Sequence, residues 1–318
     1  MATKPHLIDT LPSSTLQTFI GAFRQVDLTS PKSIYDTYVQ VGGKFKWDDA
    51  VTPLSSLQSI GLTLVLYVII SYTISFILGT KTPKEMEEER KNPTFFQKVL
   101  KWVAFLHNLN MTVISLVCFF GLLFEVAKIG LKDGFYSLLC DPEHKYNVGY
   151  IPFWTYMYYM SKYVELFDTF LLVIRRSRLR FIHTYHHVTT MSICYYGLYT
   201  GGTGQWIPIA LNTFVHIIMY YYYMKVTLGF DVWWKMYLTD IQLVQFILDA
   251  ATFTAYCYVE MFWERPRGNT CTGSFYGSLT GDIVVISFFF LFFKLRQENA
   301  RALAKKKAAK EQLAKKEE

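Results

Sequence analysis

Apolar residues run in long blocks along the chain, and charged residues stand in short clusters between those blocks. A hydrocarbon core about 30 Å thick requires roughly 20 apolar residues per transmembrane helix. Seven stretches approach that length, some with polar interruptions, so we predict an all-α, polytopic membrane protein with seven transmembrane helices. The predicted spans are 57–78, 103–126, 150–174, 182–200, 206–224, 236–262 and 277–295.

The composition agrees with a membrane protein. Hydrophobic residues make up 52% of the chain and charged residues 18%, whereas a soluble domain would interleave the two kinds. Residues 1–56 lack the basic start, apolar run and cleavage site of a signal peptide. We therefore expect a non-cytoplasmic N-terminal surface segment over 1–56, a membrane domain over 57–295 and a lysine-rich tail over 296–318.

Positive charge is concentrated in alternate connections. The first, third and fifth connections and the tail hold most of the lysines and arginines that lie between the spans. Cytoplasmic loops carry such an excess, so these connections and the C-terminus are predicted to be cytoplasmic. The basic residues of the three connections are Lys81, Lys84, Arg90, Lys91, Lys98, Lys101, Arg175, Arg176, Arg178, Arg180, Lys225 and Lys235. No nucleic-acid partner is expected.

The last residues of the tail resemble an address signal. The chain ends Lys315, Lys316, Glu317, Glu318, which looks like a cytoplasmic dilysine signal for retrieval to the endoplasmic reticulum, and such signals are read by receptors. This predicts a multi-pass protein of that membrane.

Two of the five cysteines fall in connections on the same predicted side. Cys140 and Cys271 lie in the second and sixth connections, which face the non-cytoplasmic side. An oxidising lumen permits disulfides, so we hypothesise a Cys140–Cys271 bridge. Cys118, Cys194 and Cys257 fall within spans and are expected to be small buried residues.

Polar residues follow helical spacing within four of the predicted spans. Residues three and four apart share a helix face, and ionisable groups at membrane depth are costly and are usually kept for a function. The sequence therefore predicts a polar chamber near the cytoplasmic side. Its candidates are Lys162, Glu165, Asp168 and Thr169; His183, His186 and His187; Asn212, His216, Tyr220 and Tyr223; and Thr239, Gln242, Gln245 and Asp249.

One candidate chemistry is metal-based. Imidazoles at i and i+3 or i+4 can share a metal, so the histidine cluster is similar to the boxes of membrane di-iron desaturases and hydroxylases. Those enzymes use several boxes, and only His107 and His216 remain to assist the cluster. His6 and His144 lie in predicted surface segments, which disfavours metal-dependent oxidation.

Acyl transfer fits the residues better. Imidazole is a nucleophile toward a thioester, a second histidine can act as base, and Asn, Gln and Tyr donors can stabilise an oxyanion. Arg178, Lys225, Lys235 and their basic neighbours suit the phosphates of coenzyme A. The apolar spans would enclose the alkyl chain of a fatty acyl-CoA.

A transporter is the third alternative. Histidine pairs and a Lys, Glu, Asp set also occur in lipid or proton-coupled transport. Seven spans without an internal repeat, and a chamber at one side of the membrane, fit transport less well.

The motifs resemble those of the ELO family of very-long-chain fatty acid elongases over about 57–295. They are Lys-x-x-Glu-x-x-Asp-Thr at 162–169, His-x-x-His-His at 183–187, Asn-x-x-x-His-x-x-Met-Tyr-x-Tyr-Tyr at 212–223 and Thr-x-x-Gln-x-x-Gln at 239–245, with a further His-Asn pair at 107–108. The resemblance implies condensation of a long-chain acyl-CoA with malonyl-CoA. The product would be a 3-oxoacyl-CoA two carbons longer, with release of carbon dioxide and coenzyme A. It also implies a barrel of six helices around a substrate tunnel.

Resemblance and chemistry together assign roles. We expect His186 to take the acyl group beside His216, and His183 and His187 to orient or deprotonate. Cys194, near the cluster in sequence, is the rival nucleophile. Hydrogen bonds to the thioester or enolate would come from Asn212, Tyr220, Gln242 and Gln245, while Lys162, Glu165 and Asp168 would polarise the chamber and Tyr223 would line it.

No metal or redox cofactor is expected, because decarboxylation supplies the carbanion. Membrane lipid and the reductases and dehydratase of the cycle are the expected partners, and a homodimer is left open. His183-Thr184-Tyr185-His186-His187, Trp233-Trp234-Lys235 and the loop 268–271 are similar to fungal elongases of saturated and monounsaturated acids. Polyunsaturated substrates are the alternative.

Overall fold

The described part of the chain folds into ten α-helices joined by short connections. The computed structural model describes residues 26–27 and 29–317, and it contains no β-strand within them. The all-α prediction is confirmed. The helices are α1 Pro31–Gly42, α2 Leu57–Leu78, α3 Pro83–Lys91, α4 Phe95–Asp133, α5 Phe135–Leu139, α6 Tyr150–Ile174, α7 Phe181–Thr200, α8 Trp206–Leu228, α9 Lys235–Val259 and α10 Phe275–Glu317. A short π-helix at Glu260–Glu264 and a 3-10 helix at Arg265–Arg267 follow α9.

Each predicted span coincides with a long helix. The bounds of α2 and α6 agree with the predictions to the residue, while α4 extends beyond the predicted 103–126 at both ends. The N-terminal extension of α4 begins at a capping box, in which Thr94 and Gln97 satisfy each other's backbone N–H groups.

Three helices of the described part are long and apolar enough to cross a membrane on length and composition alone: Leu57–Leu78, Phe95–Asp133 and the Phe275–Lys305 portion of α10. The polar stripes lie mainly on α6, α7, α8 and α9. These four helices have a lower mean hydropathy because each carries polar residues on one face. That face turns toward the interior of the protein.

Six helices close a ring. Pairwise packing runs from α6 to α4, α8, α9, α10 and α7 and back to α6, and α2 packs outside the ring against α6 and α7. This is the six-helix barrel that the resemblance implied. It places the inward faces of α6, α7, α8 and α9 around a common interior.

A disulfide joins two connections at one end of the ring. Cys140 and Cys271 are bonded, and the backbone N–H of Thr272 donates to the carbonyl oxygen of Cys140 at 2.7 Å. Tyr136 donates to the buried Glu264 in the same region; burial, and then this carboxylate, raise the pKa of Tyr136 to about 12.

The segment before α2 is only partly a surface segment, contrary to the prediction for 1–56. Val41 and Phe45 are buried against α6, and the backbone N–H of Gly149 donates to the Phe45 carbonyl at 2.7 Å. Apolar side chains beyond the predicted span therefore complete the core at this end. Residues 1–25, with His6, lie outside the described residues.

The opposite end carries the basic connections. Arg176 donates to the carbonyl of Leu78 and to Glu85, and Arg296 of α10 pairs with Asp240 of α9 at 2.7 Å. Helix α10 continues through the predicted tail to Glu317, so no break marks residue 296. The side chains of Lys315 and Lys316 lie outside the described part.

Candidate active site

The four polar clusters predicted from sequence meet inside the ring. A cavity of about 540 Å³ lies between them and reaches the basic end of the barrel. The predicted site residues that line it are Glu165, Asp168, Arg178, His183, His186, His187, Asn212, His216, Tyr220, Tyr223, Lys235, Gln242 and Gln245. Histidines and cations thus border one space, the histidines within it and the cations toward its mouth.

A buried ion pair on α6 contacts two side chains of α8. Lys162 and Glu165 are each 1% exposed, and the Lys162 ammonium donates to Glu165 at 2.8 Å and to the Asn212 amide oxygen at 3.1 Å. The His216 Nδ1 lies 3.3 Å from Glu165. Two buried charges are stable only when paired and hydrogen-bonded, and this network fixes Asn212 and His216 at the cavity wall.

Tyr158 belongs to the same network. Its hydroxyl donates to the Asn212 amide oxygen at 2.6 Å, and its ring lies 4.1 Å from the Lys162 ammonium. Tyr158 was not among the residues predicted for the site. The signal was its spacing, because Tyr158 precedes Lys162 by one helical turn and continues the stripe of Lys162, Glu165 and Asp168 toward the other end of α6.

Asp168 binds two side chains from other helices. Its carboxylate accepts from Tyr220 of α8 at 2.5 Å and lies 2.8 Å from the His107 Nε2 of α4. His107 was noted in the sequence as part of a His-Asn motif and as a possible helper of a metal site, without a role in acyl transfer. Its partner comes from another helix, so no spacing within one helix could reveal the pair.

The histidine cluster at the start of α7 packs as a group. His183 is hydrogen-bonded to Thr169 at 2.8 Å, and Thr169 in turn to Tyr67. The rings of His183 and His187 lie 4.6 Å apart, and those of His186 and His187 5.7 Å apart. Within the described part of the chain, the buried Nδ1 of His186 has no hydrogen-bond partner.

A second cavity, of about 480 Å³, extends from the first toward the disulfide end. His186, Asn212, Gln245 and Phe246 line both cavities. The lining of the second includes Ile193, Pro208, Ile209, Phe253, Val285 and Phe288. The site is therefore a polar chamber continued by a largely apolar one, with His186 at the junction.

Helix α9 supplies amides to the junction. Gln245 donates to Asp249 at 3.0 Å, and the Gln242 amide nitrogen lies 3.9 Å from the Met219 sulfur. Sulfur is a weak acceptor, so Gln242 keeps most of its hydrogen-bonding capacity for other groups in the cavity.

Two predicted binding residues are placed differently from the rest. Lys225 does not line the cavity; its ammonium packs over the rings of Tyr221 and Phe230 near the end of α8. This cation–π contact holds the ammonium of Lys225 against two aromatic rings, and substrate binding by Lys225 stays a prediction. Lys162 does not line the cavity either. Its ammonium donates hydrogen bonds to Glu165 and Asn212, which do.

The metal alternative lacks a ligand set in the described residues. No group of three or more His, Cys, Asp or Glu side chains converges there with the geometry to hold a metal ion. His183 is hydrogen-bonded to Thr169, whereas His216 lies against Glu165. The two imidazoles therefore have different partners and do not share a ligand position.

Comparison with known proteins agrees with the motifs. A family model described as ELO: GNS1/SUR4 family matches residues 53–309. A relative from Dictyostelium discoideum is 36% identical over 64% of this chain and 64% of its own length, just under two thirds. Fatty acid elongase A of the same organism is 31% identical over 78% of this chain and 85% of its own. A Schizosaccharomyces pombe relative is 31% identical over 78% and 71%.

Proposed function

The chain belongs to the ELO family, described as GNS1/SUR4, and from this membership we propose how its residues carry out the reaction. The protein is a condensing enzyme of fatty acid elongation. It joins a long-chain acyl-CoA to malonyl-CoA and yields a 3-oxoacyl-CoA two carbons longer, carbon dioxide and coenzyme A.

His186 is the acyl acceptor in this proposal. The supporting observation is its position, because His186 alone among the described histidines lines both cavities. Its imidazole attacks the thioester carbonyl and the C–S bond breaks. The proton released from the imidazole goes to the departing thiolate, which leaves an acyl-imidazole and free coenzyme A.

Malonyl-CoA completes the reaction. Loss of its carboxylate as carbon dioxide gives an enolate, which attacks the acyl carbonyl, and the C–N bond to His186 breaks with the imidazole taking up a proton. Asn212, Gln242 and Gln245 border the junction and can donate hydrogen bonds to an oxyanion. Tyr158 and Lys162 hold Asn212 by its oxygen, so its amide N–H groups are turned to other partners.

The two cavities divide the substrate in this proposal. Arg175, Arg178, Arg180 and Lys235 line the polar cavity toward its mouth, where guanidinium and ammonium groups suit the phosphates of coenzyme A. The second cavity takes the acyl chain. Its largely apolar lining favours burial of methylene groups by about 0.8 kcal/mol each.

A condensation assay on detergent-purified protein tests the mechanism. We expect palmitoyl-CoA and malonyl-CoA to give a 3-oxoacyl-CoA without added metal or nicotinamide, and intact-protein mass spectrometry to find an acyl adduct when malonyl-CoA is omitted. His186→Ala should lose both signals. Cys194→Ala, a change at another residue that lines the second cavity, should retain them. Loss with Cys194→Ala and retention with His186→Ala would assign the acyl group to the thiol.

The cellular setting is also proposed. The excess of lysine and arginine at one end of the barrel supports a cytoplasmic position for that end and for the lysine-rich tail. We propose residence in the endoplasmic reticulum with the reductases and dehydratase of the cycle. In sealed microsomes, protease should remove a C-terminal tag without detergent. Protection of the tag would contradict the proposed orientation.

The substrate class is proposed to be saturated and monounsaturated acyl-CoAs. A condensation assay with a panel of saturated, monounsaturated and polyunsaturated acyl-CoAs would test this.

A further inference from the structure

One buried carboxyl group in the second cavity has no place in the mechanism above. Asp249 lies on α9, is 3% exposed and lines this cavity. Its Oδ2 accepts from the Gln245 amide at 3.0 Å, while its Oδ1 has no hydrogen-bond partner in the described part of the chain. A polar atom buried without a partner is costly, so this oxygen calls for a partner that the protein does not provide.

Three hydroxyl groups in the same wall are satisfied within the protein. The hydroxyl of Thr190 donates to the carbonyl of His186, that of Ser192 to Val188 and that of Thr252 to Leu248. Each bond turns a hydroxyl back onto its own helix and removes it from the cavity. Asp249 departs from this pattern, because a carboxyl group has no such bond available on its helix.

The position of Asp249 relates it to the substrate. Gln245 lines both cavities, and Asp249 follows it four residues later, about 6 Å along the helix axis, on the same face. An acyl chain that leaves the junction at His186 would therefore pass Asp249 within its first several carbons. The carboxyl group can turn about a soft torsion to meet a group on that chain.

We propose that Asp249, held by Gln245, is a hydrogen-bonding site that favours acyl chains carrying a hydroxyl group a few carbons beyond the thioester. A hydroxyl can both donate and accept, so it satisfies the free oxygen of Asp249 whether the carboxyl is protonated or ionised. An unsubstituted chain leaves that oxygen without a partner. This inference rests on the proposed function, in which the second cavity holds the acyl chain.

The test compares three substrates with the purified wild-type enzyme: palmitoyl-CoA, palmitoyl-CoA with a hydroxyl on carbon six, and palmitoyl-CoA with a hydroxyl on the terminal carbon. We expect kcat/KM for condensation to be about tenfold higher for the carbon-six alcohol than for palmitoyl-CoA, the size of one hydrogen bond. The terminal alcohol should gain nothing, because its hydroxyl lies far from Asp249.

Two variants assign the preference to its residue. Asp249→Leu fills a similar volume without polar atoms and should remove the preference, while Thr252→Val, one turn further along the same wall, should keep it. Equal use of all three substrates by the wild type would overturn the proposal, as would a preference that survives Asp249→Leu or is lost with Thr252→Val. If Asp249→Leu does not fold, the wild-type comparison still decides. Failure to condense palmitoyl-CoA at all would instead count against the proposed function.

Discussion

The most consequential single residue pair is Lys162 with Glu165. Both side chains are almost fully buried. The Lys162 ammonium donates to Glu165 and Asn212, and the same Glu165 oxygen lies 3.3 Å from the His216 Nδ1. Removing one partner of a buried pair leaves an uncompensated charge, whereas removing both avoids that charge. The pair therefore couples the stability of the barrel to the geometry of its site.

We expect Lys162→Met to destabilise the protein by about 3–5 kcal/mol, because Glu165 keeps its charge without the ammonium. The double variant Lys162→Met/Glu165→Leu should recover much of that stability and still be inactive, since Asn212 and His216 lose their orientation. Thermal unfolding in detergent measures the first effect and the condensation assay the second. Lys91→Met, which breaks an exposed pair with Glu87, is the control and should change stability by less than about 1 kcal/mol. A similar loss in Lys162→Met and Lys91→Met would contradict this account.

At this scale, the sequence predicted which residues enter the chamber better than it predicted their bonds. The stripes on α6, α7, α8 and α9 follow from helical periodicity, so Glu165, His186 and His216 could be foreseen as neighbours of one space. The pairing of Asp168 with His107 depends on how helices rotate against each other. Periodicity within one helix carries no information about that rotation.

At the scale of elements, the ring depends on close approach of helices at small residues. Gly121 of α4 faces Trp154 of α6, and a Cβ at Gly121 would lie 2.2 Å from the indole ring. The indole is held in turn, because its Nε1 donates to the Tyr38 hydroxyl at 3.2 Å. The side chain cannot simply swing away.

Gly121→Ala should therefore destabilise the protein by about 1–3 kcal/mol, the usual cost of overpacking a core. Gly61→Ala is the matched control, because a Cβ at that helical position meets no atom within 4 Å, and alanine favours a helix over glycine. Thermal unfolding of both variants in the same detergent checks the difference. Equal melting temperatures would show that α4 and α6 can separate without cost.

Helix α3 carries a carboxylate whose pKa differs from its ordinary value. The Thr82 backbone N–H and hydroxyl, and then the Arg176 guanidinium, donate to Glu85 and lower its pKa below the usual 4.5. A lowered pKa means that these bonds stabilise the folded state fully above pH 4.5 and are lost as pH falls through the folded value.

We expect the amide protons of 83–91 to lose exchange protection, after correction for intrinsic rates, as pH falls below about 4.5. Glu85→Gln should make the corrected protection nearly independent of pH, because glutamine does not ionise. Glu88→Gln on the same helix should leave the wild-type profile in place. Hydrogen exchange read by mass spectrometry over this segment makes the measurement, and an unchanged profile in Glu85→Gln would refute the assignment.

Element bounds were largely predictable because membrane depth requires long apolar runs. The extension of α4 and the packing of the segment before α2 were not, since they arise from a capping box at Thr94 and from Phe45 meeting α6. These are local or tertiary contacts outside the apolar runs that define the spans.

At the scale of the whole molecule, the two ends of the barrel differ in kind. One end is basic and open to the polar cavity, and the other is closed by connections that Cys140 and Cys271 join across 131 residues. A cross-link over so long a loop stabilises chiefly by restricting the unfolded chain, by about 4–5 kcal/mol in the entropic treatment.

The disulfide also reports orientation, because it forms only on an oxidising side of the membrane. After proteolytic cleavage between the two cysteines, the fragments should stay joined on a non-reducing gel and separate with reductant. Cys140→Ala should separate them without reductant, while Cys257→Ala, a free cysteine, should not. In sealed microsomes, a reductant that cannot cross the membrane should leave the fragments joined until detergent is added. Immediate separation would place the disulfide end in the cytoplasm. The basic end and the C-terminus, at the opposite end of the barrel, would then lie in the lumen.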